Sequence, residues 1–162
     1  MSLETSYDDI LFNFIRQAKV RTVLELGVGP GYSTQKILQA LGGKGLWSVD
    51  ISPCTGIRER ISEDYPDWVF IQEDDRKLKW TRKVDLIFID TSHQYEHTLE
   101  ELEKYSPYAQ HWIFLHDTRS NPQVEDAIKT FLLTDENWAW SEWEHGWGLA
   151  LLMRLVREDE KA

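Results

Sequence analysis

Carboxylates recur at or near the ends of five short apolar runs: Glu25, Asp50, Asp74, Asp90 and Asp117. Two of these points also carry a histidine, His93 three residues beyond Asp90 and His116 immediately before Asp117. Carboxylates and imidazoles together hold divalent cations and move protons near neutral pH. A second signal lies between Leu26 and Tyr32, where Gly27, Gly29 and Gly31 alternate with Val28 and Pro30. Glycines at such a turn let the backbone bend tightly and let a ligand come close. Asp50 follows by about twenty residues, the separation at which an acid after a second strand accepts both ribose hydroxyls of an adenosine.

The loop spacing is G-x-G-x-G. Dinucleotide sites use G-x-G-x-x-G, whose third glycine permits close helix packing beneath a pyrophosphate, but here Tyr32 occupies that place. Glu25 adds negative charge before the loop, which repels a pyrophosphate and suits a cationic ligand.

These residues need a scaffold, and the hydropathy pattern supplies one. Ile10, Leu11, Phe14 and Ile15 sit at helical spacing within Asp9–Ala18, and the run Thr22–Leu26 reads as a buried strand entering the glycine loop. Helical spacing returns over Ser33–Leu41 and stops at Gly42-Gly43. The unit then repeats. Strands are expected over Gly45–Val49, Trp68–Ile71, Val84–Ile89 and His111–Leu115, and helices over Arg58–Asp64, Tyr95–Tyr105 and Val124–Leu133. Strands separated by helices imply parallel pairing through right-handed crossovers, with helices on both faces of one sheet. The last two apolar segments, Trp138–Trp143 and Gly148–Val156, have no helix between them. They are joined through Glu144-His145-Gly146-Trp147 and are expected to form an antiparallel hairpin at the sheet edge. Trp138, Trp140 and Trp143 fit a half-buried edge strand, Glu100, Glu101 and Glu103 fit the solvated face of a helix, and 157–162 reads as a frayed end.

The chain has 162 residues, enough for one compact domain and too few for a second. Lys plus Arg number 18 against 28 Asp plus Glu, a formal net charge of -10, which argues against nucleic acid or an anionic membrane as partner. The single cysteine, Cys54, excludes an intrachain disulfide and a cysteine-built zinc site. No apolar run approaches the ~20 residues of a membrane span, and the N-terminus shows no basic start leading into an apolar stretch, so the expected location is cytoplasmic.

Val23-Leu24-Glu25-Leu26-Gly27-Val28-Gly29-Pro30-Gly31-Tyr32-Ser33 resembles the first motif of the class I S-adenosylmethionine-dependent methyltransferases, and Ser48-Val49-Asp50 resembles their second-strand acid. Phe70-Ile71-Gln72-Glu73-Asp74 is similar to their third-strand motif. The resemblance spans nearly the whole chain. It implies a Rossmann-like, doubly wound, mostly parallel seven-stranded sheet with an antiparallel C-terminal hairpin. It further implies that the glycine loop approaches the methionyl part of S-adenosylmethionine, Asp50 binds the ribose and Asp74 faces the adenine amine. Glu25, Tyr32, Ser33, Ile51, Asp75 and Asp90 are then expected along the same pocket.

Asp85-Leu86-Ile87-Phe88-Ile89-Asp90-Thr91-Ser92-His93 and Trp112-Ile113-Phe114-Leu115-His116-Asp117-Thr118 resemble the metal-dependent O-methyltransferases, closest to the catechol-like and macrocin-type branches. Asp90 and Asp117, at the ends of strands expected to be neighbours, converge on one hard cation such as Mg²⁺. His116 is a third ligand in this reading, and its imidazole favours a transition metal. His93 is the expected proton acceptor for the hydroxyl of a small acceptor. Few residues precede the first strand and no long insertion follows the fifth. The acceptor side is therefore open, completed by a second copy of the chain, or shielded by a large acceptor. Two rival readings keep the fold: a relative of antibiotic-modifying hydroxylases, and a binding module without turnover.

Overall fold

The computed structural model describes residues 6–144 and 146–156. His145 and the expected frayed end at 157–162 lie outside the described residues. In chain order the elements are α1 (Tyr7–Gln17), β1 (Val23–Leu26), α2 (Tyr32–Leu41), β2 (Leu46–Asp50), α3 (Thr55–Asp64), β3 (Val69–Gln72), β4 (Val84–Ile89), α4 (Tyr95–Tyr105), β5 (Ala109–His116), α5 (Pro122–Thr134), β6 (Trp138–Trp143) and β7 (Leu149–Arg154). A 3-10 turn at Ser106–Tyr108 links α4 to β5.

All seven strands join one sheet in the order β3-β2-β1-β4-β5-β7-β6. The first five pair in parallel, and β7 runs antiparallel to both β5 and β6. The expected hairpin is present, with β7 slotted inside and β6 at the edge. Strand order reverses between β1 and β4, so the carboxyl ends of these two strands form the crevice where such sheets bind ligands.

Alternation along the central strands splits the core in two. Ile87, Ile89, Ile113 and Leu115 pack with Leu102 of α4 and Val124, Ile128 and Phe131 of α5. Leu86, Phe88 and Phe114 face the other way, toward Leu11 and Ile15 of α1, Ile37 and Leu38 of α2 and Ile61 of α3. Local chemistry sets the helix ends. The Ser6 side chain accepts the Asp9 N–H to start α1, with Asp8 and Asp9 in the first turn favouring the positive end of the helix dipole. Gly42, in the left-handed region, ends α2 by donating to the carbonyls of Leu38 and Gln39. At the amino edge of the sheet, Asp85 accepts the N–H groups of Arg21 and Thr22 and so ties β4 to the start of β1.

Candidate active site

The loop after β1 is shaped by two glycines with different reasons to be glycine. Gly27 has φ +90°, and a Cβ there would stand 1.9 Å from the Asp90 carbonyl oxygen. Gly29 has φ +51°, and a Cβ there would meet nothing within 4 Å. The first position is closed by protein; the second faces open space. Gly31 caps α2, whose first N–H groups carry the partial positive charge of a helix start. Asp50 braces the loop: Oδ2 accepts the N–H groups of Val28 at 2.9 Å and Gly29 at 3.2 Å, and Oδ1 accepts that of Ser52 at 2.8 Å. Each carboxylate oxygen has two lone pairs, so Oδ2 is filled and Oδ1 keeps one for a hydroxyl.

Glu25 does not face the ligand side, contrary to the expectation that its charge meets a cationic group. It is fully buried, and Ser33, Thr34 and Ser48 donate their hydroxyls to its two oxygens. Burial pushes its pKa up to about 7 against the pull of those hydrogen bonds. The reason is strand alternation at a position flanked by β2 and α2, which turns this side chain inward. Ser33, also buried, spends its hydroxyl on Glu25.

Two recesses adjoin at Gly29 and Asp90. The larger, about 340 Å³, is lined by Asp50, Ile51, Asp74, Asp75, Ser92 and His97 among others. The smaller, about 180 Å³, lies over the glycine loop between Tyr7, Val28, Pro30, Tyr32 and Ser33. The larger falls in the usual range for a cofactor-sized site, and the open space at Gly29 lies on both. These features fit an adenosine-bearing ligand with a short charged tail.

Beside them stand four side chains. Ile89 pairs with Leu115, so Asp90 and His116 emerge side by side, and Asp117 and His93 turn back with left-handed φ values of 63° and 57°. His93 Nε2 is 2.9 Å from Asp90 Oδ1 and 3.0 Å from Asp117 Oδ2. His116 Nδ1 is 3.4 Å from Asp90 Oδ1 and 3.3 Å from Asp117 Oδ2. One donor atom from each residue lies within 4.8 Å of the other three. Ligand bonds of ~2.1 Å make donor–donor edges of ~3.0 Å around an octahedral ion and ~3.4 Å around a tetrahedral one. The spacing therefore fits a small divalent cation. An imidazole beside two carboxylates suits a first-row transition ion better than magnesium, which prefers oxygen alone.

Electrostatics bind the four together. Burial acts to raise the Asp90 carboxyl, but hydrogen bonds and charge from His116 and His93 outweigh it and bring its pKa down to about 2. The hydrogen bond to Asp90 raises that of His93; partial burial opposes this, and the charge of Asp117 adds to it. Helix capping does not explain Asp90, because α4 begins after Gln94 and takes no side-chain cap.

Residues outside the sequence reading complete the surroundings. The Tyr7 ring lies 3.8 Å from the His116 ring, tilted by 36°, and lines the smaller recess. Burial and the carboxylates of Asp8, Asp90 and Asp117 keep its hydroxyl protonated. Asp8 Oδ1 and His116 Nε2 are buried without hydrogen-bond partners among the described residues. No spacing pattern ties Tyr7 to a strand end 109 positions away; only the packing of α1 over β5 brings it there.

A second cluster, Asp75, His97 and Glu101, borders the larger recess. Glu101 is not on a solvated face. It is 1% exposed and accepts the Thr91 hydroxyl on both oxygens. The i,i+4 spacing of His97 and Glu101 on α4 is the signal that points to it. Asp74 lines the larger recess, and Arg76 donates to it through its backbone N–H at 3.0 Å and through Nε and Nη2 at 3.1 Å each, which fills Oδ1 and leaves Oδ2 one lone pair.

The sheet order, the loop after β1 and the groups at the ends of β4 and β5 define a Rossmann-like α/β domain with its ligand crevice at the carboxyl edge. A family model described as a methyltransferase domain matches residues 24–118, more than half of the chain, and this chain belongs to that family. The fold is similar to that of an O-methyltransferase from Bacillus cereus in complex with SAH, with a TM-score of 0.72, 16% identity, and coverage of 91% of this chain and 80% of that one. It is also similar to the SAH-bound methyltransferase PaMTH1 of Podospora anserina, with a TM-score of 0.73, 13% identity, and coverage of 93% and 78%. At such identities the likeness is one of fold. No match was found among curated protein sequences. No helix among the described residues is long and apolar enough to cross a membrane.

Proposed function

We propose that this methyltransferase-family chain transfers a methyl group from S-adenosylmethionine to a hydroxyl of a small acceptor, assisted by a divalent cation. The observation that carries the reading is the position of His93 Nε2, within 3.0 Å of both Asp90 and Asp117 and next to the recess that the glycine loop leaves open. The larger recess takes the adenosine, with Asp50 accepting a ribose hydroxyl and Ile51 and Asp75 forming the walls. The smaller recess takes the amino-acid end, where the start of α2 beside Tyr32 and Ser33 attracts a carboxylate.

S-adenosylmethionine, when bound, supplies a methyl on a sulfonium whose C–S bond breaks as the C–O bond forms. Asp90, Asp117 and His116 would hold a divalent cation, whose positive charge would lower a neighbouring hydroxyl's pKa. The donor set favours a transition ion over Mg²⁺. His93 receives the hydroxyl proton, and the two flanking carboxylates stabilise the imidazolium once it forms. The remaining work of the chain is placement, since in-line transfer needs donor and acceptor held close and aligned. The acceptor approaches from the side left open beyond Tyr7 and Tyr32. Neither nucleic acid nor membrane is part of this reading, and a second copy of the chain is the candidate cover for the open side.

Calorimetry with S-adenosylmethionine, S-adenosylhomocysteine and NAD tests the cofactor. Binding of both methionine-derived ligands is expected, and binding of NAD alone rejects the reading. A screen of hydroxylated acceptors with a labelled methyl donor, with and without EDTA, tests the rest. Transfer at an undiminished rate in EDTA removes the cation from the mechanism.

A further inference from the structure

Asp74 is the acid that the motif places next to a purine amine, yet Arg76 makes three hydrogen bonds to it. Another wall of the same recess carries a polar group with lone pairs to spare. Ser92 is exposed, lines the recess, and its Oγ lies 2.8 Å from His97 Nδ1. The other ring nitrogen of His97 lies 2.7 Å from Asp75 Oδ2. We propose that Ser92, set in one hydrogen-bonding polarity by Asp75 through His97, is the residue that selects a six-amino purine in the cofactor. This inference rests on the S-adenosylmethionine reading and adds to it the means of base discrimination.

Proton placement sets this polarity. A carboxylate accepts only, so His97 Nε2 carries the hydrogen and donates it to Asp75. In the neutral ring Nδ1 is then an acceptor, and the Ser92 hydroxyl must donate to it. With its proton committed, Ser92 Oγ turns only lone pairs toward the recess. The exocyclic amine of adenine is a donor and matches them. Hypoxanthine has a carbonyl at that place, which sets acceptor against acceptor.

The array is held at its far end. Lys104 Nζ and the Tyr105 hydroxyl both donate to the Asp75 main-chain carbonyl. Glu101 is fully buried and faces Asp75. Burial and the Asp75 charge raise its carboxyl well above the usual range, so Glu101 is the protonated partner and Asp75 the ionised one. Hydrogen bonds from His97 and Glu101 outweigh burial to lower the Asp75 carboxyl. A fixed charge at Asp75 fixes the tautomer at His97, and the tautomer fixes the polarity at Ser92.

The test is calorimetry of S-adenosylhomocysteine and S-inosylhomocysteine against the intact chain, Ser92→Ala and His97→Phe, with circular dichroism to confirm folding. The wild type is expected to prefer the adenosyl ligand. In Ser92→Ala, adenosyl affinity should fall about 3- to 10-fold, the worth of one neutral hydrogen bond, with inosyl affinity unchanged or higher. His97→Phe keeps the serine but frees its proton, and should likewise shrink the ratio of the two affinities. A merely structural role would lower both affinities together and leave that ratio intact. Retention of the full ratio in Ser92→Ala, with the adenosyl ligand still bound, overturns this inference alone, as does a wild type that prefers the inosyl ligand. A wild type that binds neither overturns the cofactor reading and this inference with it.

Discussion

The backbones of Gly27 and Asp90 touch, so closely that a methyl group on Gly27 would stand 1.9 Å from the Asp90 carbonyl oxygen. The Asp90 N–H donates to Leu26 at 2.8 Å, and the Gly27 N–H donates to Val49 at 2.8 Å. Backbone hydrogen bonds therefore join the glycine loop, the end of β2 and the start of the Asp90–His93 turn. The recess and the polar cluster share a wall at Asp90.

Gly27→Ala should damage both. The added carbon meets backbone, which cannot rotate away, and φ +90° is itself strained for alanine. A loss of about 2–4 kcal/mol in unfolding free energy is expected, the range of a severe core or backbone clash. Gly29→Ala is the companion: it meets no protein atom, so it should fold nearly as wild type while weakening S-adenosylhomocysteine binding. Urea unfolding and calorimetry of the two variants check this pair. Equal affinity losses and equal stability losses would contradict the division of labour between the glycines.

Asp117→Asn and His93→Asn should separate cation holding from proton transfer. Even outer-sphere losses around metals cost about 10–100-fold in affinity, so removing the Asp117 charge should cost at least that much. His93→Asn should cut the maximal rate at saturating cation, with a smaller change in cation affinity. Cation titration alongside single-turnover rates distinguishes them. If His93→Asn loses as much cation affinity as Asp117→Asn, the histidine is a ligand and the base lies elsewhere.

Much of this site was readable from spacing because β-sheets convert sequence position into place. Parallel pairing of β4 with β5 puts Asp90 beside His116 by register alone, and the loop glycines announce the switch point between β1 and β4. Three things were not readable in this way. Tyr7 reaches His116 through the docking of a helix against a sheet face, which no local pattern encodes. Glu25 and Glu101 carry charge-type side chains yet face inward, because strand alternation and helix rotation outrank residue type where hydroxyls wait to receive them. The Arg76 clasp on Asp74 is a local tie between residues two apart, and a motif that identifies an acid does not reveal whether that acid is already engaged.

Glu25 makes stability depend on pH. Its pKa is raised from 4.5 to about 7 in the fold, so the folded chain holds a proton that the unfolded chain releases. The contribution is whole below pH 4.5 and is lost as pH rises through about 7, a change of about 3 kcal/mol at 1.36 kcal/mol per pH unit. Glu25→Gln keeps a neutral side chain of the same shape, and the Ser33 hydroxyl need only turn to accept from the new amide. Relative to wild type, the variant should gain stability between pH 5 and pH 8. Unfolding midpoints across that range provide the measurement, and parallel curves for the two proteins would mean that Glu25 carries no proton in the fold.

Tyr7 is the test of whether α1 belongs to the site or merely covers the sheet. Its ring packs against His116 at 3.8 Å, while Leu11 and Ile15 farther along the helix are buried in the core and anchor α1 without it. Tyr7→Phe retains the ring and should keep cation affinity close to that of wild type. Tyr7→Ala removes a ring contact worth about 0.5–1.5 kcal/mol and frees His116 to turn, since Nε2 has no hydrogen bond among the described residues to hold it. Cation affinity should then fall roughly 3- to 10-fold, by the usual conversion of such an energy, although the helix stays docked. Titration of the three proteins with Co²⁺, alongside their circular dichroism, reads both effects. An alanine variant that titrates like wild type would show that β5 alone orients His116 and that α1 is a lid over the sheet with no part in the polar cluster.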